Sequence, residues 1–137
     1  MWWIYALLSA LFASLTAILA KVGIKNVDSD LATAIRTVVI LVITWGIVFF
    51  KGSLQSISTL SRNNILFLVL SGVATGLSWL FYFKALQVGK VSQVAPVDKL
   101  SIALTIILSF VFLGEVLSVK TMIGTVMIIA GVLFVIS

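Results

Sequence analysis

The sequence predicts an all-α integral membrane bundle of five transmembrane helices. Three observations carry that reading. Hydrophobic residues fill 62% of the 137 positions, charged residues only 9%, and the mean hydropathy is +1.31. One water-soluble core of this size cannot hide that much apolar surface. The apolar residues fall into five runs, each near the roughly 20 residues that a bilayer crossing needs. Between the runs lie short polar connections with single basic residues at their edges, where such residues set topology and anchor to headgroups.

The first run spans about Trp3 to Ala20. It opens Met-Trp-Trp-Ile-Tyr with no basic stretch before it and outruns the apolar core of a signal peptide, so it reads as a retained helix. Tyr5, Ser9, Ala13, Thr16 and Ala20 share one face at the 3.6-residue period. The second run, about Leu31 to Phe50, follows the connection Lys21 to Asp30. Ser29 or Asp30 is placed there to accept the free N–H groups of a first helical turn. Thr33, Arg36, Ile40 and Thr44 align along it.

The third run, about Ile65 to Leu86, follows the connection Lys51 to Asn64. It aligns Ser71, Thr75, Ser78 and Tyr82, with Trp79 at the edge, and places Gly72 and Gly76 four residues apart. The fourth, about Val91 to Leu113, begins after Gln87 to Lys90 and contains Val94-Ala-Pro-Val-Asp-Lys-Leu-Ser101. Asp98, Ser101, Thr105 and Ser109 form its polar face. Pro96 lacks an N–H and disfavours helix at Ala95, so it either marks the true start of this helix or loosens its first two turns. The fifth run, about Thr121 to Ile136, follows Gly114 to Lys120, with Ser118 placed as its cap. It has almost no polar stripe but carries Gly124, Ile128 and Gly131 on one face, a packing or dimerisation signal in membranes. No linker is left over, so 1–137 reads as a single membrane domain.

An ionised side chain inside a bilayer costs about 2.5 to 3.5 kcal/mol on insertion scales, which makes an intramembrane charge a functional hypothesis by default. Arg36 lies about 8 Å below the start of its run and Asp98 about 10 Å below the start of its own. Both runs start on the same side, so the two residues share a level. A pair between them would neutralise both charges. Lys99, about 100° round the helix from Asp98, either joins the cavity as a positive excess suited to an anion or zwitterion or stays outside it. Lys84 is expected to snorkel to the headgroups. The stripes converge on a water-accessible path, with Arg36, Asp98 and Lys99 as its charged groups, Trp79 and Tyr82 as aromatic walls, and Ser78, Thr75, Ser101, Thr105, Ser9 and Thr16 as lining. The bland alternatives are a structural ion pair and hydroxyls that serve helix contacts.

The absence of His and Cys removes imidazole and thiolate metal sites, His-dependent nucleophiles and disulfides, which argues against an enzyme and leaves no metal or cofactor expected. The net charge of +5 comes without a basic cluster, so no nucleic-acid partner is expected. Five spans put Lys51, Arg62 and Lys120 on one side of the membrane and Lys21, Lys25, Lys84 and Lys90 on the other. A near balance of three against four gives the positive-inside rule little to act on. It admits insertion in both orientations and hence an antiparallel homodimer. The alternative is a single orientation set by one or two charges or by a partner.

Ser71-Gly-Val-Ala-Thr-Gly-Leu-Ser-Trp-Leu-Phe-Tyr-Phe-Lys-Ala-Leu-Gln, Ser92-Gln-Val-Ala-Pro, Phe112-Leu-Gly-Glu and Ile123-Gly-Thr-Val-Met-Ile-Ile-Ala-Gly-Val, in this order and spacing, resemble the EamA domain of the drug/metabolite transporter superfamily. The likeness covers nearly the whole chain. It implies a single five-helix half of a ten-helix inverted-repeat transporter, similar to the bacterial and archaeal branch and multi-pass in a prokaryotic plasma membrane. The implied activity is secondary transport of a small polar metabolite or organic ion by alternating access, as an exporter or exchanger. A single half must then pair with itself or with a related half. The last two helices also resemble those of the small multidrug resistance relatives, whose final helix dimerises through a Gly-rich face that Gly124 and Gly131 match. Those relatives couple to protons through a glutamate in their first helix, whereas Trp3 to Ala20 holds no acid. Asp98 is left as the proton-coupling candidate, and Glu115 as a cap or anchor at a helix end. Two other readings stay open: a flippase of a lipid-linked sugar, and a non-transporting accessory or scaffold subunit.

Overall fold

A computed structural model describes residues 1–137 throughout. It contains six α-helices and no strand: α1 (Trp2–Gly23), α2 (Ser29–Phe50), α3 (Arg62–Val88), α4 (Val91–Asp98), α5 (Leu100–Leu113) and α6 (Val119–Ile136), with a 3₁₀ segment Ser53–Thr59 between α2 and α3. α4 and α5 together make one span, Val91–Leu113, so five spans are long and apolar enough to cross a membrane.

The helix ends have local causes. Asp28, in extended conformation, caps α2: its Oδ1 accepts the N–H groups of Asp30 and Leu31 at 3.0 Å each. The cap is therefore neither Ser29, which is buried as the first helical residue, nor Asp30, whose carboxylate turns to Lys84. Ser118 caps α6 as expected, its Oγ accepting the Thr121 N–H at 3.1 Å. α5 stops at Gly114, whose φ of +67° is a left-handed conformation that costs a residue with a Cβ about 1–2 kcal/mol.

The fourth span begins at Val91, so Pro96 lies inside α4 rather than at its start. The ladder then breaks at Lys99. The Lys99 N–H bonds to the Pro96 carbonyl and the Ile102 N–H to the Lys99 carbonyl, both at 3.0 Å and both over three residues instead of four. Neither expected outcome for this proline holds as stated: the helix starts before it at Val91, its first two turns stay α-helical through Asp98, and the irregularity comes three residues after Pro96, at Lys99.

The chain forms two compact units. In the unit built from residues 1–18 and 88–137, α4 and α5 both pack against α6, with Ala17, Ala103, Thr125 and Val132 buried. Thr125 sits in this packing without penalty because its hydroxyl donates to the Thr121 carbonyl at 2.8 Å. Met122, Val126, Met127 and Phe134, on the remaining faces of α6, are exposed.

In the unit of residues 19–87 the packing gathers at one end, where α1 finishes, α2 starts and α3 finishes. Ala20, Ile24, Ser29, Thr33, Phe83 and Leu86 are buried there, Phe83 and Leu86 almost completely. Side chains stitch the same end: Lys21 Nζ donates to the Leu86 carbonyl, Gln87 Nε2 donates to the Val27 carbonyl at 2.9 Å, and Lys84 pairs with Asp30 at 3.5 Å. Arg62 to Thr75 of α3 is exposed on every side although it is strongly apolar. A helix of that kind belongs in lipid or against another protein surface.

Candidate functional site

Arg36 is on the eighth residue of α2, about 10 Å along the helix from its start. One turn inward from the buried end of the unit, Trp79 and Phe83 stand four residues apart on the inner face of α3. The Arg36 guanidinium lies over both rings, with Cζ 4.7 Å from the Phe83 centroid and 5.3 Å from the Trp79 centroid. Both distances are within the roughly 6 Å at which a cation is attracted to an aromatic face. Phe83 is held in turn by an edge contact with Tyr82, ring centroids 6.3 Å apart. Within this unit the guanidinium meets rings and no carboxylate: Asp28 is taken by the α2 cap and Asp30 by Lys84.

Asp98 and Lys99 sit at the break between α4 and α5, in the other unit. Lys99 Nζ donates to Asp98 Oδ2 at 3.1 Å, so the two charges meet each other across adjacent positions. The contact falls where α4 ends and α5 begins. In an unbroken helix adjacent side chains point about 100° apart.

The expected lining residues divide by what their hydroxyls do. Thr75 donates to the Ser71 carbonyl at 2.9 Å within its own helix. Ser9, Ser78, Ser101 and Thr105 are exposed and Thr16 is half-buried. Tyr82 and Trp79 are half-buried, beside Arg36. Lys84, expected at the headgroups, is exposed and spends its charge on Asp30. Phe83 is the contributor that the polar stripes did not single out. Its signal was the apolar spacing Trp79, Phe83, Leu86, which defines the face of α3 that is buried.

The glycines behave alike. At Gly72, Gly76, Gly124 and Gly131, no neighbouring group of the chain lies within 4 Å of where a side chain would begin. Their small surfaces are not used for close approach within the chain.

Five apolar spans, one broken beside a charged pair, and an arginine set within a span define a multi-pass membrane protein with charge held inside its spans. The particular family is shown by comparison: the chain matches the EamA-like transporter family over residues 1–137, and it belongs to that family. It is 51% identical over 132 residues to a Sinorhizobium protein named an uncharacterized transporter in the cobO 3'region, covering 96% of this chain and 94% of that one. It is 30% identical over 129 residues to the uncharacterized transporter YxxF of Bacillus subtilis, covering 93% of this chain but 40% of that protein. A third relative, an uncharacterized protein of Methanocaldococcus jannaschii, is 33% identical over 79 residues, 58% of either chain. No solved structure matches.

Proposed function

We propose that the protein is a secondary transporter that moves a small polar metabolite or organic ion by alternating access, and that its working unit is a pair of five-helix halves in opposite orientations. The observation that carries the reading is charge inside spans that the chain itself leaves largely uncovered. Arg36, Asp98 and Lys99 stand well below the helix starts, and the polar positions Ser9, Ser71, Ser78, Ser101 and Thr105 are exposed on apolar helices. A single copy in lipid would present these groups to hydrocarbon, which is unfavourable. A second half covers them and encloses a path.

Three further observations support pairing. The glycine faces of α3 and α6 are open. The YxxF relative is more than twice the length that this chain matches, room for a second half in one polypeptide. The basic residues are nearly balanced across the membrane. In the proposal Arg36, with Trp79 and Tyr82, binds the solute, and Ser78, Thr75, Ser101, Thr105, Ser9 and Thr16 line the route. Asp98, at the C-terminal end of α4 and partnered by Lys99, is the group that exchanges a proton.

Proteoliposomes loaded with a small-metabolite extract test this directly. Purified protein is expected to release a restricted set of solutes that protein-free liposomes retain. The Arg36→Gln, Asp98→Asn double variant, matched for folding by its elution and melting profiles, is expected to lose that release. Release that is absent from the native protein, or unchanged in the folded double variant, overturns the assignment.

A further inference from the structure

The charges within the spans do not cancel evenly. Asp98 and Lys99 neutralise one another at 3.1 Å, and Lys84 and Asp30 face each other at 3.5 Å. Lys21 is engaged by the Leu86 carbonyl. Arg62 and Lys120 stand in the first turns of α3 and α6, at span ends, which leaves Arg36 as the charge set deep in a span: a full positive charge about 10 Å into α2, with the Trp79 and Phe83 rings and the nearby Tyr82 as its companions in its unit. Rings compensate only part of the cost of holding that charge in a span. They also accept through their faces, so the five guanidinium N–H donors, which lie in the plane and at its edge, gain no oxygen partner from them.

The ring contacts have a second effect. A guanidinium with its Cζ over the Trp79 and Phe83 rings is confined to one place beside α3, and its fork of N–H groups matches a carboxylate or phosphate with two parallel hydrogen bonds. A lysine at the same place would offer a point charge with no such fork. We infer that Arg36, held beside Trp79 and Phe83, is the receptor for an oxyanion group, carboxylate or phosphate, on the molecule this protein handles. The inference rests on the transporter reading and narrows it: the solute is an organic anion or the anionic end of a zwitterion. The positive excess that the sequence offered to Lys99 falls on Arg36 instead, because Lys99 is spent on Asp98.

Trp79 supplies the readout. With Trp2, Trp3 and Trp45 replaced by phenylalanine, Trp79 becomes the lone indole, and it lies against the guanidinium. The full-length protein in detergent is titrated with acetate, malonate and inorganic phosphate, and with methylammonium and tetramethylammonium as cations of similar size at matched ionic strength. A second series incorporates the protein in nanodiscs with and without phosphatidylglycerol. The expected result is a saturable Trp79 response to oxyanions and none to the cations. Its affinity is expected to fall at least about tenfold in Arg36→Gln, with partial retention in Arg36→Lys, because a hydrogen bond to a charged group is worth about 1.5–3 kcal/mol. A response to the soluble anions identifies a free solute, and a response to phosphatidylglycerol alone identifies a lipid headgroup; either supports the receptor. No response to any oxyanion, an equal response to the cations, or an unchanged response in a folded Arg36→Gln variant overturns it. Binding without release in the liposome assay leaves the receptor standing and removes the transport reading, so the two are separable.

Discussion

Replacing Phe83 by alanine lowers the unfolding free energy by about 3 kcal/mol, at the lower end of the range for a buried aromatic. The ring is 1% exposed at the stitched end of the 19–87 unit. In a bilayer the transfer part of that cost shrinks, since lipid is as apolar as the protein interior. The lost contacts do not shrink: the void beside Leu86, the edge contact with Tyr82 and the face presented to Arg36 all remain as losses. Phe81 is the control. It is two residues away and 71% exposed, so its alanine variant is expected to change stability by no more than about 0.5 kcal/mol. Reversible unfolding in mixed micelles measures both, and equal effects at the two positions would contradict the packing described.

The second large effect is asymmetric. Lys99→Met leaves Asp98 without its partner in the span, and a short carboxylate cannot reach the headgroups. Asp98→Asn leaves a lysine whose long stem can. We expect the Lys99→Met variant to lose about 2–3 kcal/mol and Asp98→Asn about half of that. The double variant is expected to recover most of the loss, with a coupling energy of about 2–3 kcal/mol in a double-mutant cycle. Strict additivity would mean that the 3.1 Å contact contributes nothing to the folded state, and a larger cost for Asp98→Asn would contradict the argument from lysine reach.

Much of this was legible in the sequence because the bilayer imposes so few solutions. Runs of about 20 apolar residues have to be helices, and a proline followed by an acid–base pair has to be accommodated somewhere within one of them. The residues at the helix ends were harder to read. Asp28, Ser29 and Asp30 are all good caps by type, and only the backbone turn at Asp28 decides between them. The site showed the same pattern. Arg36 and Asp98 stand out from composition alone, but polar spacing drew attention to the Ser71, Thr75 and Ser78 stripe, whereas Arg36 is received by the apolar face carrying Phe83. The contact between Asp98 and Lys99 was not read from helical periodicity, which places adjacent side chains about 100° apart and says nothing of where a long lysine stem turns.

The central claim is that one chain is half of a pair whose members cross the membrane in opposite directions. Its most direct test uses the absence of cysteine from the sequence. Asn26→Cys in the first connection and Ser56→Cys in the second are introduced singly and labelled from outside intact cells with an impermeant maleimide. Opposite orientations predict that both positions label, each in about half of the molecules, as the near balance of flanking lysines and arginines implies. Labelling of one position alone, to completion, would show a fixed orientation and contradict the antiparallel pair.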